Sequence, residues 1–332
     1  MAQPGSTQNI GQTITIAVVG DVHEQWEAAD HEALHHLGVD LVLFVGDLGN
    51  ESVRVARAIA QLDLPKAVIL GNHDAWYTAT DWGRQKCPYD RVFDNHFQQQ
   101  LDVLEPIHVG YRALDFPQFG FAVVGARPFS WGGSEWRYTD FYQTYYGVSS
   151  FAESTERIVA AANQASSSVL LMIGHCGPLG LGDRPEDPCG RDWKPLGGDH
   201  GDPDMAAAIA QLKQAGKHIP LVTFGHMHHG LRHTKQYLRT AIADHAGTLY
   251  LNAARVPRIV EPVLSIADGQ AAGEPSEHGT AGRWRNFSLV KFCQDQVVKA
   301  SLVWVDPSGA IVSEEVLYQA TNLAVSSDRA TA

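Results

Sequence analysis

The chain has 332 residues, 44% of them hydrophobic, with 25 basic against 37 acidic side chains and a net charge of −12. This length buries a full core, as one large α/β domain or two small ones, and the longest apolar runs, VLLMI and LVLFVG, fall far short of the roughly 20 residues that span a bilayer, so disordered and membrane classes do not fit. The negative balance repels polyanions and argues against a long nucleic acid held in a basic groove, while small substrates stay open.

The opening stretch MAQPGSTQNIGQ, residues 1–12, carries neither a basic region nor an apolar signal core and reads as a flexible leader on a soluble protein. Residues 13–322 read as one domain and 323–332 as a polar tail. The cysteines Cys87, Cys176, Cys189 and Cys293 form no CxxC pair. Neither a zinc ribbon nor a disulfide framework is indicated, and a reducing, cytoplasmic compartment is expected.

From 14 onward one plan repeats: a β-rich apolar run, a glycine, then polar or histidine residues. The segments are ITIAVVGDVH (14–23), DLVLFVGDLGNE (40–51), AVILGNHD (67–74), SVLLMIGHCG (168–177) and IPLVTFGHMH (219–228). Near-continuous apolar runs of this length suit strands buried on both faces, as in parallel sheets covered by helices. Helical patterns fall between them at 24–37, 52–62, 151–164 and 203–215, the last opened by Asp202 and Pro203 and closed by Gly216. Later segments, GFAVVGARP, TLYLNAARVPRIV, FSLVKFC and QVVKASLVWVD, read as strands with few helices between them. They are expected to build a second sheet packed on the first, the final two joined as a hairpin. The connections at 75–100, 127–150 and 176–202 are longer than ordinary loops, and 267–282 reads as a surface excursion.

In open α/β sheets ligands bind at the carboxyl ends of the strands. That rim carries Asp21 and His23; Asp47 and Asn50; Asn72, His73 and Asp74; His175; and His226 and His228. Any one of these residues is best read as a turn-former or helix cap. Their joint occurrence after successive glycines is not. Aspartate, asparagine and histidine without cysteine form the donor set of divalent Mn, Fe, Zn, Ni or Co. The donors are too many for one catalytic ion and suit two ions about 3.5–4 Å apart. In extended chain His226 and His228 share a face while His229 points elsewhere.

The ordered set D-x-H (Asp21, His23), G-D-x-x-[ND] (Gly46, Asp47, Asn50), G-N-H-D (71–74), G-H (Gly174, His175) and G-H-x-H (Gly225, His226, His228) resembles the calcineurin-like metallophosphoesterases. The resemblance implies a four-layer α/β/β/α sandwich with two mixed sheets. It also implies one ion on Asp21, His23 and His228, a second on Asn72, His175 and His226, and Asp47 bridging. His73 is implied to act at the phosphoryl or leaving-group oxygen, oriented by Asp74, while a hydroxide between the ions attacks phosphorus. The stretch GDLGNES lacks the arginine of the G-D-x-x-D-R-G motif of the Ser/Thr protein phosphatases, which disfavours a phosphoprotein substrate. The 189–205 stretch and LNAARVPRI are similar to a metallophosphoesterase subgroup of cyanobacteria and plant plastids.

Arg255 is the expected phosphate clamp, with Arg127 and Arg191 as further cations. His229, His233 and His245 are expected in solvent, and His35 and His36 on the surface of the first helix. A third metal site on His200, Asp202 and Asp204 is weighed against an N-cap role for Asp202, and the cap is preferred. Redox pairing of Cys176 with Cys189 is set below simple packing. Trp131 and Trp136 either wall a pocket or pack the scaffold. The expected activity is hydrolysis of a small soluble phosphoester, most simply as a phosphatase. A phosphodiesterase on cyclic or dinucleotide substrates and a non-catalytic scaffold are the rivals; no membrane partner is expected.

Overall fold

Side chains alternate between the two faces of a strand, and here both faces are apolar. In β1 (Ile14–Val19) and β2 (Leu41–Phe44), Ile16, Val18, Leu41 and Leu43 enter one buried cluster, while Ala17, Val19, Val42 and Phe44 enter another. Such strands are stable only between two covering layers. The structure, a computed structural model, describes residues 13–261 and 282–321. The leader, the 323–332 tail and nearly all of the 267–282 excursion lie outside the described residues.

The chain continues from β2 through α2 (Val53–Ala60) to β3 (Lys66–Val68), with α1 (Ala28–His36) lying between β1 and β2. Ser52 caps α2 by accepting from the Val55 amide at 3.4 Å. Three helices follow: α3 (Trp76–Ala79), α4 (Asp81–Lys86) and α5 (His96–Leu104). Then come β4 (Ala113–Phe116), β5 (Phe121–Gly125), α6 (Thr139–Tyr146), α7 (Phe151–Gln164), β6 (Val169–Ile173), α8 (Pro203–Gln214) and β7 (His218–Phe224). The remaining strands are β8 (Ile242–His245), β9 (Thr248–Asn252), β10 (Ile259–Val260), β11 (Trp284–Cys293), β12 (Gln296–Val305) and β13 (Ile311–Gln319).

One sheet runs β13-β12-β11-β1-β2-β3 with β10 on β11, the other β4-β5-β6-β7-β9-β8. β1, β2 and β3 are mutually parallel, as are β5, β6, β7 and β9; β4, β8 and the β11–β13 meander are antiparallel. The sheets face each other through a cluster that joins Ile16, Leu43 and Ile69 to Val123, Leu171 and Leu251. α2 and α5 cover the first sheet, and α7 and α8 cover the second, where Leu170, Met172 and Phe224 meet Ile158, Met205 and Leu212. The result is the expected four-layer sandwich with two mixed sheets. Each fully buried leucine or isoleucine in it contributes roughly 1.5–3 kcal/mol.

The allocation of strands differs from the expectation. FSLVKFC and QVVKASLVWVD do form a hairpin, but β11 completes the open edge of β1 in the first sheet, Ile16 facing Val290. β6 and β7 instead sit in the second sheet beside β5 and β9. Apolar runs buried on both faces carry no mark of which sheet they join. The five donor-bearing strand ends are therefore divided between the two sheets, and the site lies where the two rims meet.

Candidate metal centre

The loops leaving β1 and β2 are tied amide to carbonyl: Asp21 N to Gly46 O at 3.0 Å, His23 N to Asp47 O at 2.9 Å and Glu24 N to Leu48 O at 2.9 Å. In the second sheet, Gly225 N reaches His175 O at 2.8 Å. Sharp turns so close together force unusual backbone: Asp21, His23, Asp47 and His226 hold φ of 49°, 44°, 55° and 66°. Aspartate and asparagine tolerate this left-handed region better than other non-glycine residues, and histidine is also enriched there. Gly46, at φ 98°, has no room for more, since a Cβ would lie 2.6 Å from both Gly71 N and His175 Nδ1.

The side chains then converge in two groups, Asp21 with His23 and His228, and Asp47 with His175 and His226, each group having its donor atoms within 4.8 Å of one another. His228 Nε2 lies 3.2 Å from Asp21 Oδ1 and 3.3 Å from His23 Nε2, and His175 Nε2 lies 3.3 Å from Asp47 Oδ1. Asp47 Oδ2 is 3.9 Å from His23 Nε2, so this carboxylate stands between the groups. Asn72 Oδ1 is 2.9 Å from both His175 Nε2 and His226 Nδ1.

These contacts fit a cation better than a hydrogen-bond network. His175 donates its Nδ1 proton to Val45 O at 2.8 Å, so a neutral ring would set its Nε2 lone pair against the oxygens of Asp47 and Asn72, and only a proton or a metal cation at that point relieves the repulsion. Asp21 Oδ1 is buried with no hydrogen-bond partner. Ligand atoms about 2.1 Å from a common ion in tetrahedral or octahedral geometry are about 3.0–3.4 Å apart; the His228–Asp21, His228–His23 and His175–Asp47 spacings match, while His23 stands farther out, 3.9 Å from Asp21 Oδ1. The electrostatics agree. Burial works to raise the Asp47 pKa, but His175 and its neighbours hold it well below the usual range. Burial works to lower the His175 pKa, but Asp47 pushes it up to about 10. For Asp21, burial is likewise outweighed by His228, which lowers the pKa. The cradle is short of positive charge, and divalent ions would supply it. Among the described residues, every such donor group involves this cradle.

His73 and Asp74 do not form the expected pair. Asp74 is fully buried and accepts from Leu48 N at 2.9 Å and Gly71 N at 2.8 Å, lashing the second donor loop to the third. Burial, with Asp47 nearby, pushes its pKa well up. The residue in hydrogen-bond contact with the His73 ring is Asn50, whose Oδ1 lies 2.6 Å from Nδ1. The cause is local: Asn72–Ala75 is a 3-10 turn, and the third residue of such a turn folds its side chain back onto the amide before it. The ring of His73 also stacks on Trp76, 4.8 Å between centroids.

A cavity of about 360 Å³ opens in front of Asp47, Asn72, His226 and His228. Its outer wall includes Trp131, Arg191, Trp193, His200 and Arg232. Arg255, the expected clamp, is not brought to it; the guanidinium lies over Trp304, 5.8 Å from the ring centroid, because the chain after β9 turns toward the first sheet. Arg127 is also absent from the wall, being buried in ion pairs with Asp202 (2.7 Å) and Asp204 (2.8 Å). That triad disposes of the third metal site. Asp202 precedes α8 but its side chain does not cap it, serving Arg127 and Ser130 instead. Trp136 packs on Arg127, at 5.0 Å, whereas Trp131 faces the cavity. His229, expected in solvent, is buried with Nε2 3.0 Å from Asn252 O; His245 is exposed and His233 is exposed in the loop beyond. Cys176 and Cys189 are free and buried, and burial pushes both thiols well up, away from reactivity. Asn50 was marked as a rim residue by the second motif but not as the partner of His73, and the cavity roles of Trp193 and Arg232 had no signal in the sequence beyond their place in loops.

Residues 14–230 match the model of the family described as calcineurin-like phosphoesterase. No curated protein matches the chain. Solved structures that resemble it include the protein TT1561 of Thermus thermophilus (11% identity, TM-score 0.45, covering 92% of this chain and 100% of that one). Another is a dimetal phosphatase from Danio rerio (12%, 0.41, 92% and 99%). A third is the purple acid phosphatase PPD1 from yellow lupin (Lupinus luteus) seeds (15%, 0.43, 92% and 53%).

Proposed function

Since this chain belongs to the calcineurin-like phosphoesterases, whose model spans residues 14–230, we propose that it is a phosphatase of small phosphomonoesters that works with two divalent metal ions. The observation that carries this reading is the position of Asp47, whose two oxygens face separate groups of donors. Asp21, His23 and His228 would hold one ion and Asn72, His175 and His226 the other, with Asp47 shared. Bound there, the pair would supply Lewis acidity and a water acidic enough to attack at neutral pH.

The remaining work belongs to the chain. His73, held by Asn50 and stacked on Trp76, presents an imidazole at the mouth of the cradle, where it can give a hydrogen bond or proton to the oxygen that departs. Burial lowers its pKa, so the imidazolium that could give this proton thins out as pH rises and turnover should fall on the alkaline side. A cavity of about 360 Å³ suits a metabolite-sized ligand and not a folded phosphoprotein or a long nucleic acid. Among the described residues no helix is long and apolar enough to cross a membrane.

The test is metal removal and return. Chelated protein is expected to be inert toward p-nitrophenyl phosphate, to regain turnover with two equivalents of manganese, and to act much more weakly on bis-p-nitrophenyl phosphate. Preference for the diester would replace the phosphatase reading by a phosphodiesterase, and no turnover with either ester at full metal content would leave only a scaffold.

A further inference from the structure

Most arginines near the cavity are already committed. Arg239 is buried, and its guanidinium donates to four backbone carbonyls, those of His228, Pro185, Asp187 and Gly190, at 2.7–3.0 Å, while also lying 3.5 Å from Asp192. Arg137 pairs at the surface with Glu135 at 3.5 Å. Arg191 and Arg232 are different. Arg191 spends only its Nε, on Gly197 O at 2.9 Å, within a turn pinned by the amide bonds of 191 to 198 and of 197 to 191. Arg232 is placed by its backbone amide, which donates to Asp192 Oδ2 at 2.8 Å, and its guanidinium lies over Trp193, 5.2 Å from the ring centroid. No carboxylate lies within ion-pair distance of either guanidinium among the described residues. In a chain of net charge −12, two cations that line one cavity wall, the half-buried Arg191 and the exposed Arg232, without a carboxylate partner ask for a ligand.

Resting on the phosphatase reading above, we propose that Arg191 and Arg232 form a second anion subsite beside the metal cradle, so that the preferred substrate is a small phosphoester bearing a further carboxylate or phosphate. Both guanidiniums are pre-organised, one by its turn and one by its stack on Trp193, which lowers the ordering cost of gripping an anion. The aromatic residues of the wall do not offer a slot for a flat base. Trp76 stacks on His73 at 4.8 Å and on Trp131 at 5.2 Å, and Trp131 in turn lies against Tyr138 at 5.1 Å, so these rings are engaged with one another. Recognition away from the reacting phosphorus is therefore by charge. The long 189–205 stretch thereby acquires its role: it holds Arg191 and Trp193 in front of a cradle built by other segments.

The test uses ligands that cannot be hydrolysed, with the manganese-loaded full chain and calorimetric dissociation constants. Phenylphosphonate is compared with 4-carboxyphenylphosphonate and with 1,4-phenylenebisphosphonate, the latter two separating a carboxylate from a phosphoryl as the second anion. The wild type is expected to bind at least one of the doubly charged ligands about tenfold or more tightly than phenylphosphonate, and the double variant Arg191→Gln/Arg232→Gln to reduce that preference to about twofold or less. Arg191→Lys/Arg232→Lys should restore part of it, which a misfolded wall would not. The proposal fails if the wild type shows no preference, if the preference survives in the double glutamine variant, or if that variant weakens all three ligands by one factor, since the arginines would then grip the reacting phosphoryl. Lack of turnover of phenyl phosphate by the loaded wild type would strike the phosphatase reading, whereas a missing preference in a protein that does turn it over strikes the subsite alone.

Discussion

The cradle and the wall opposite it are built on different physical plans. Donors of the cradle sit two to four residues beyond buried strands, on turns so tight that four of them take left-handed backbone, and their positions are fixed by amide-to-carbonyl ties and by Asp74. The wall comes from long connections, and what holds it is charge: Arg239 gathering four carbonyls, and Arg127 clamped between Asp202 and Asp204. The cradle is thus placed by the sheet and the surrounding loops by buried polar contacts, so the two should respond to substitution in separate ways.

The largest effect is expected in the cradle. Asp47→Asn removes the carboxylate shared by both donor groups and should lower turnover about 10³-fold or more, with metal content falling as well; near-normal turnover at full metal content would remove Asp47 from that position. Behind the wall, where Arg127 lies buried outside the cavity, Arg127→Met strands two buried carboxylates and should cost about 3–5 kcal/mol of unfolding free energy by chemical denaturation, while metal content at saturating manganese is kept. A loss below about 1 kcal/mol would mean that the wall is not held by charge. The smallest effect lies at the join. Asn50→Asp sets a carboxylate against the His73 ring, favours the imidazolium form and raises the pKa that burial lowers. The alkaline limb of the kcat/KM profile should move up by about one pH unit, and a limb that stays in place would remove Asn50 as the partner of His73.

The cradle was legible in the sequence because its parts are local: strand, glycine, donor, repeated, with the carboxylate and imidazole donors from Asp21 to His228 brought to one place. The four layers followed from the family resemblance alone; the apolar runs, too continuous for any exposed face, indicated only strands covered on both sides. What could not be read was whatever depends on pairing across long distances. Which sheet β11 joins is decided by the open edge of β1. His229 looks as polar as His228, yet its ring is taken inward by Asn252 O. Arg255, beyond β9, turns away to Trp304, while Arg232, just past His228 in the loop that follows the last donors, reaches the cavity. Asp74 is adjacent to His73 but spends both oxygens on backbone amides, and the ring is met by a residue from another strand end.

The positive φ of Asp21, His23, Asp47 and His226 bears on how such a protein could lose its activity over time. Residue types that accept that backbone shape overlap with those that bind metal, so a drift to valine or isoleucine would damage the bend as well as the donor, at a cost of about 1–3 kcal/mol for each bend. Decay by that route leads to a collapsed rim and not to an inert but intact shell. A silent descendant that kept its shape would have to keep aspartate or histidine, or take asparagine or glycine, at those four places, and would carry in its sequence the imprint of the catalyst it came from.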